Sequence, residues 1–480
     1  MEPEEITKLM TNPSTTDKAL ISRAFNFAQT AHRGQKRFSG DPYFIHPLET
    51  AKILAELKAD TPTIVAGLLH DTLEDTNITA DDIKREFGSE IYFLVDGVTK
   101  LGELKYRGLK KHVESLRKLF IAMAKDTRVI IIRLADRLHN IKTLEYVPEP
   151  KRQRIAIETL EIYAPIANRL GIGKIKGLLE DGSFRFAYPK EYQQVLKLRK
   201  AKGRESTKRL EKISRTLQKE LVAHGKKDYA IDYRIKFLYS LYNKLKRNDM
   251  DINKIYDLMA LRVIVNSIDD CYQVLGIIHN LWRPVPGKLK DYISAPKPNG
   301  YQSIHTAVFT GDENIVEIQI RSQKMHEEAE YGVASHAVYK EIGKRRVSNQ
   351  AKKKVAWIKN LIDWQKETSE SEEFLSVLKT DFFKDQIFTF TPKGDVVELP
   401  VGATALDFAY AIHSDVGHQA VGATVNGKYV ALSTPLTTND IVKIETKKNT
   451  KPNVKWLKFT QTQAARKHIK SWLQKKKEIK

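Results

Sequence analysis

Cysteine is almost missing from this chain: Cys271 stands alone among 480 residues. That excludes an intrachain disulfide and any Cys-rich zinc site, and it fits a reducing cytoplasm. Long apolar runs are missing too, and no stretch suffices to span a membrane. The N-terminus, Met1-Glu2-Pro3-Glu4-Glu5, is acidic and lacks the apolar core of a signal peptide. Acidic residues are outnumbered, 59 against 81 Lys and Arg, for a net charge of +22. Such an excess points to an anionic partner, nucleic acid or a polyphosphate. It is steepest at 447–480, where twelve Lys or Arg face a single Glu and Trp456 and Trp472 are interspersed. That composition suits RNA contact. No repeat of fixed period is visible, and the length allows two to four domains.

What is present is centred on Leu68 to Thr76, where His70, Asp71, Glu74 and Asp75 are packed into two helical turns. Ile64, Val65, Leu68 and Leu69 precede them at helical spacing, predicting one helix with a buried side. On it His70 lies one turn from Glu74 and Asp71 one turn from Asp75, so the four groups form a cluster. A lone His-Asp pair is usually solvated helix surface. Here His46 sits in an apolar run, and Asp136 is embedded in Ile131-Ile132-Arg133-Leu134-Ala135-Asp136. Burying a carboxylate is costly unless it is paired or binds metal. The mixed N/O set His46, His70, Asp71 and Asp136 suits Mn, Fe or Zn. Glu74 and Asp75 can orient or deprotonate an attacking water.

Residues 1 to about 195 read as nearly all helix, and Arg204 to His224 as a further, charged helix. The pattern then changes. Ile255–Val265 is apolar and β-branched around Arg262, a buried strand. Val316, Ile318 and Ile320 alternate with Glu317, Gln319 and Arg321, which puts an acid, an amide and a base on one strand face. Lys344-Arg345-Arg346 and Lys352-Lys353-Lys354 bracket a polar loop, and Thr368–Glu373 reads as a linker. Ile387–Thr391 and Val396–Leu399 flank the turn Pro392-Lys393-Gly394-Asp395, a clear hairpin, followed by a short helix at Thr404–Ile412 and two more strands. Gly422 to Lys428 has P-loop spacing, but Tyr429 stands where Ser or Thr must bind Mg²⁺ and no helix pattern follows. It reads as a β-turn.

The runs Gly40-Asp41-Pro42-Tyr43, His46-Pro47, His70-Asp71 through Glu74-Asp75-Thr76, Asp96-Gly97-Val98-Thr99-Lys100-Leu101 and Leu134-Ala135-Asp136-Arg137-Leu138-His139-Asn140 resemble, in order and context, the HD-type hydrolase domain of the long RelA/SpoT homologues, the bifunctional (p)ppGpp synthetase–hydrolases. Arg37, Asn140 and Thr143 align with that domain's guanine-nucleotide contacts. Further on, Arg234, Lys236, Ser240 and Lys244 resemble the family's ATP-binding segment. Asp257, Arg262, Pro286 to Ile293, Asn299 to Thr306 and Glu317-Ile318-Gln319-Ile320-Arg321 resemble the rest of its synthetase domain. The resemblance implies a multidomain chain: an all-α hydrolase domain with a helical linker region over 1–195, an α+β nucleotidyltransferase-like synthetase domain over 196–345, a helical or linker segment over 346–384, a small β-grasp TGS domain over 385–447, and a basic start of a helical region over 448–480. The segment Glu161–Lys174 resembles the start of the helices that join the two catalytic domains. The family's later zinc-finger-like and ACT-type regions are absent from these residues, as in a naturally short protein or a piece of a longer one.

The implied activities are hydrolysis of (p)ppGpp with Mn²⁺ at His46, His70, Asp71 and Asp136, and pyrophosphate transfer from ATP to the 3′-hydroxyl of GDP or GTP. Transfer from a triphosphate needs Mg²⁺. Asp257 and Glu317 are the carboxylates placed for it, Glu317 able also to take the hydroxyl proton. Arg234, Lys236, Lys244, Arg262 and Lys290 supply cations, and His305 and Gln319 complete the nucleotide set. Tyr301 can stack on guanine, although most tyrosines merely pack. His413 and His418 resemble the TGS segment that meets the tRNA acceptor end, so uncharged tRNA or the ribosome is an implied partner. Two places depart from the family. Lys288-Leu289-Lys290-Asp291 stands for its Arg-x-Lys-Asp, keeping charge but losing bidentate geometry. Tyr233, Ile235 and Phe237 replace its usual Gly, Pro and His. The rival reading is a catalytically decayed scaffold that binds tRNA or ribosomes; the intact acids and histidines argue against it.

Overall fold

In the computed structural model of the chain, residues 1–102, 109–297, 299–311, 315–334, 386–448 and 450–478 are described, with isolated positions 358, 361, 374, 378, 380 and 383. The basic clusters at 344–354 and the linker expected at Thr368–Glu373 lie outside the described residues. The chain divides into two compact units, Met1–Trp364 and Gln365–Lys480.

The first unit begins with helices α1 (Glu4–Thr7), α2 (Thr15–Ala31), α3 (Ile45–Glu56), α4 (Thr61–Leu69), α5 (Thr72–Asp75), α6 (Ala80–Gly102), α7 (Leu109–Lys125) and α8 (Arg128–Lys142). Local chemistry sets their starts. Ser14 and Asp17 form a reciprocal capping box for α2, and the Asp60 carboxylate accepts the Thr63 N–H at the start of α4. Helix α8 is the hub: Val129 to Ile132, Leu134, Ala135, Leu138 and Ile141 are all buried. It packs against α3, α4 and α6 and carries Asp136, His139 and Asn140 among these apolar residues.

Then come α9 (Glu149–Glu158), α10 (Ala164–Arg169), α11 (Gly173–Ala187) and α12 (Pro189–Ala223). The helix expected over 204–224 is the second half of α12. Next is a five-stranded mixed sheet of β1 (Tyr229–Ile235), β2 (Met259–Val265), β3 (Lys290–Asp291), β4 (Ile304–Phe309) and β5 (Ile315–Ser322), in the order β1-β2-β5-β4-β3. Only the β2–β5 pair is parallel. Helices α13 (Leu238–Lys246), α14 (Ile268–Leu281) and α15 (Gln323–Tyr331) accompany it. The alternation read on β5 holds: Val316, Ile318 and Ile320 are buried in the core with Leu261 and Val263 of β2. Register then fixes the other face, with Ala260 opposite Glu317, Arg262 opposite Gln319, and Gln319 opposite His305. The buried strand begins at Met259 rather than Ile255; Ile255 and Leu258 enter the core ahead of it.

The second unit holds the hairpin β6 (Gln386–Phe390) and β7 (Val396–Pro400), then α16 (Ala405–Ile412), α17 (Ser414–Gln419), β8 (Ala420–Val425), β9 (Lys428–Val430), β10 (Val442–Thr446) and α18 (Gln463–Glu478). Thr404 and Asp407 form the capping box of α16. The Gly422–Lys428 stretch is a strand and a turn, with Asn426 and Gly427 both at positive φ between β8 and β9, as a tight hairpin needs.

Candidate active sites

The His-Asp pair does not lie within one helix as its spacing suggests. Helix α4 stops at Leu69, and Asp71 precedes the separate turn α5. Side chains explain the break. His70 Nδ1 lies 2.8 Å from the Gly67 carbonyl and the Thr72 hydroxyl donates to the Leu69 carbonyl at 2.6 Å. Both satisfy carbonyls at the helix end and compete with its continuation. The break turns His70 and Asp71 toward α3 and α8. His46 Nε2 lies 3.2 Å from Asp136 Oδ1 and 3.5 Å from Asp71 Oδ2, and His70 Nε2 lies 3.2 Å from Asp71 Oδ1. One ligand atom each of His46, His70 and Asp136 lie within 4.8 Å of one another.

The donor chemistry fits a cation. A carbonyl only accepts, so His70 Nδ1 carries a proton, and Nε2 is the ring position left to meet a cation. That nitrogen is buried with no hydrogen-bond partner and faces a carboxylate. Burial holds His46 below the ordinary histidine value and opposes charge on Asp136. The Arg133 guanidinium, 2.8 Å away, overrides it and keeps Asp136 ionised. The four expected ligands are thus brought together. Arg37, Asn140 and Thr143 converge beside them: Arg37 donates to Asn140 Oδ1 at 2.9 Å and to Thr143 Oγ1 at 3.5 Å.

Glu74 and Asp75 are exposed at the rim on α5. Tyr43, unassigned from sequence, places its hydroxyl 2.9 Å from Asp71 Oδ2 and 2.8 Å from Asp75 Oδ2. Burial and the two carboxylates push its ionisation far up, so it stays a donor. Arg133 and His139 were also missed. Arg133 lies three residues before Asp136, one helical turn, and that spacing was the available signal.

A second site opens on the polar face of the sheet. A cavity of about 560 Å³ is lined by Arg234, Lys236, Lys244, Lys288, Lys290 and Lys297, with Asp257 and Glu317 as its carboxylates and Tyr292, His305 and Gln319 beside them. Lys236 and Lys244 pair with Asp257, the latter at 2.7 Å. Burial opposes charge on Asp257, yet these cations hold it below its usual value. Burial likewise opposes charge on Glu317. The His305 hydrogen bond, with Gln319 and Lys236 in support, outweighs it and brings the carboxyl from 4.5 to about 2. His305 Nδ1 lies 3.2 Å from Glu317 Oε1, and its Nε2 is 2.8 Å from the Tyr301 hydroxyl. Gln319 accepts from Arg234 at 3.1 Å and donates to Glu317 at 2.8 Å.

Three expected nucleotide residues are not among those lining this cavity. Arg262 is drawn to Asp232 and Glu330. Tyr301 stands behind the lining, edge-on to Tyr292, beneath the Lys297 ammonium and hydrogen-bonded to His305. Ser240 donates instead to Glu180 of α11 at 3.0 Å. Helix α11 in fact touches both sites' scaffolds. Asp181 accepts the Leu238 and Tyr239 N–H groups, each at 3.0 Å, capping α13. A Cβ at Gly177 would fall 2.0 Å from the Phe237 ring, and one at Gly182 would fall 2.5 Å from Ile141 of α8. Phe237, a departure from the family, therefore packs against α11. Tyr233 and Ile235 are exposed on the edge strand β1.

In the second unit, His413 is exposed and caps α17, its Nδ1 accepting the Asp415 N–H at 3.2 Å. His418 is turned inward: its Nε2 is buried, and its ring packs against Tyr410 and His468 of α18. Only His413 of the pair stands open to a partner.

Family models match the regions that carry these residues. An HD domain model matches residues 24–173, the region found in RelA/SpoT proteins matches 233–344, and a TGS domain model matches 387–446. A guanosine-3′,5′-bis(diphosphate) 3′-pyrophosphohydrolase of Aquifex aeolicus is 46% identical over 478 residues, 98% of this chain and 67% of that protein. The chain belongs to the RelA/SpoT family. Other RelA/SpoT relatives include a GTP pyrophosphokinase of Myxococcus xanthus, 46% identical over 95% of this chain and 60% of its own length. The bifunctional (p)ppGpp synthase/hydrolase SpoT of Escherichia coli is 44% identical over 94% and 64%. The chain spans about three-fifths to two-thirds of the length of these curated relatives. No helix among the described residues is long and apolar enough to cross a membrane.

Proposed function

We propose that this RelA/SpoT chain is bifunctional, hydrolysing (p)ppGpp to GDP or GTP plus pyrophosphate at the His-Asp cluster and making it from ATP and GDP or GTP at the cationic cavity. The observation that carries the reading is the pairing, in one chain of this family, of a buried cluster of His46, His70 and Asp136, with half-buried Asp71 against it, and a six-cation cavity holding two carboxylates. Mn²⁺ at His46, His70, Asp71 and Asp136 would polarise the scissile phosphoryl oxygen. Arg37, Asn140 and Thr143 hold the guanine nucleotide, and Glu74 with Asp75 orients the attacking water, Tyr43 fixing the Asp75 carboxylate. In the cavity, Mg²⁺ at Asp257 and Glu317 would neutralise charge on the transferring phosphates. Arg234, Lys236, Lys244, Lys288 and Lys290 clamp those phosphates. Tyr301 stacks on guanine once the nucleotide enters. The 3′-hydroxyl attacks ATP, its proton passes to Glu317, and AMP departs.

The test is direct: purified protein with ATP, GDP and Mg²⁺, then with ppGpp and Mn²⁺, followed by nucleotide chromatography. Formation of ppGpp in the first mixture and GDP plus pyrophosphate in the second is expected. Neither product would instead support the non-catalytic scaffold.

Both sites working together would consume ATP with no net product. Helix α11, set between α8 and α13, is the element through which one site disfavours the other. In an Asp75→Asn variant, ppGpp affinity should fall when a non-hydrolysable ATP analogue and GDP are added. A coupling of about 1–3 kcal/mol corresponds to roughly 5–150-fold, and it is reciprocal. Adding Asp181→Ala, which uncaps α13, should shrink the effect. Adding Glu317→Gln and Tyr301→Ala, which remove synthetase binding, should abolish it. An unchanged ppGpp affinity in the first case would mean two independent enzymes.

The second unit regulates by contacting RNA. Exposed His413 and the exposed Lys451, Lys455, Lys458, Lys467 and Lys470 support this, and such cations make binding salt-dependent. Uncharged tRNA should bind more weakly after deletion of residues 385–480, with a shallower salt slope; equal binding would remove the assignment.

A further inference from the structure

His139 lies between the two halves of the hydrolase site and has no part in the mechanism above. The residue is 5% exposed, and its ring stands 5.0 Å from the His46 ring, centroid to centroid. His139 Nδ1 is 2.7 Å from His46 Nδ1 and 3.2 Å from Arg37 Nη1. Two imidazole nitrogens at that distance need one donor and one acceptor. Arg37 decides which is which, because a guanidinium has no acceptor. His139 Nδ1 is therefore the acceptor, its one lone pair shared in a three-centre contact between the close His46 N–H and the longer Arg37 N–H, and His46 carries a proton on Nδ1.

We propose that His139 is a positioning residue for hydrolysis, fixing His46 in the tautomer whose Nε2 lone pair faces the metal position between Asp71 and Asp136. Without this acceptor, the His46 proton would move to Nε2 and be donated to Asp136, 3.2 Å away. That N–H would occupy the place a cation needs. The same contact ties the nucleotide site to the metal site. Arg37 bonds His139 with one nitrogen and Asn140 with the other, and Asn140 donates to Asp136. Nucleotide engagement of Arg37 thus acts on two metal-binding residues. Such outer partners of a metal-binding histidine typically change metal affinity about 10–100-fold when removed.

This inference rests on the hydrolase reading, and its test separates the two. Mn²⁺ binding to the full chain without nucleotide is measured by calorimetry, with Asp71→Asn defining uptake at sites other than this one. His139→Leu should weaken the Asp71-dependent uptake about 10–100-fold. His139→Asn, whose amide oxygen can accept near the Nδ1 position, should recover most of it. Imidazole ¹⁵N spectra of metal-free protein should place the His46 proton on Nδ1 in wild type and on Nε2 in His139→Leu. Equal Mn²⁺ affinity in wild type and His139→Leu would overturn the proposal. If the leucine variant does not fold, the wild-type spectrum decides, and a proton on His46 Nε2 overturns it. Wild-type protein with no Asp71-dependent uptake would overturn the hydrolase reading itself.

Discussion

Asp71→Asn should abolish ppGpp hydrolysis and leave synthesis intact. The Asp71 carboxylate sits 3.2 Å from His70 Nε2 and 3.5 Å from His46 Nε2. With both rings protonated on Nδ1, those nitrogens are lone pairs, and the only comfortable occupant between them and two carboxylates is a cation. Asparagine removes one negative charge and also brings N–H donors that can satisfy the imidazole lone pairs directly. The variant would therefore fold with its polar groups paired and its metal affinity lost. A fall of at least about 100-fold in hydrolysis, roughly 2.7 kcal/mol of barrier, is expected. Chromatography of ppGpp consumption in excess Mn²⁺ measures it, beside ppGpp formation from ATP and GDP as the control. Hydrolysis within about tenfold of wild type would remove Asp71 from the metal site.

Glu317→Gln should have the converse effect. Glu317 is one of two carboxylates among six cations in the cavity, and hydrogen bonds from His305 and Gln319 aim it. The amide can still accept from His305, so the sheet register survives. It carries no charge for Mg²⁺ and takes no proton from the 3′-hydroxyl. Synthesis should fall by about 100-fold or more, with hydrolysis unchanged. Loss of less than about tenfold, roughly 1.4 kcal/mol, would leave Glu317 as an ordinary strand-face residue. The depressed carboxyl adds a pH signature. Its stabilising contribution is fully present above 4.5 and is lost as pH falls toward about 2. The stability difference between wild type and Glu317→Gln should therefore narrow across that window, as paired thermal melts would record.

The periodic elements were legible in the residues alone. Alternation at Val316, Ile318 and Ile320 put Glu317, Gln319 and Arg321 on one face of β5, and the Thr404–Ile412 pattern gave a helix at Ala405–Ile412. The reason is that backbone repeat is local: a strand's period of two or a helix's 3.6 is written in adjacent residues. That His46, His70, Asp71 and Asp136 come together was legible too, since titratable groups inside apolar runs need partners. Their arrangement was not. The break after Leu69 depends on two side chains that take up carbonyls at the helix end, Ser240 turns to Glu180 because α11 packs against α13, and His418 faces inward because α18 covers it. The tautomer of His46 depends on Arg37 and His139, 102 residues apart in sequence. Such contacts are set by which helix faces meet, and no window of neighbouring residues contains that information.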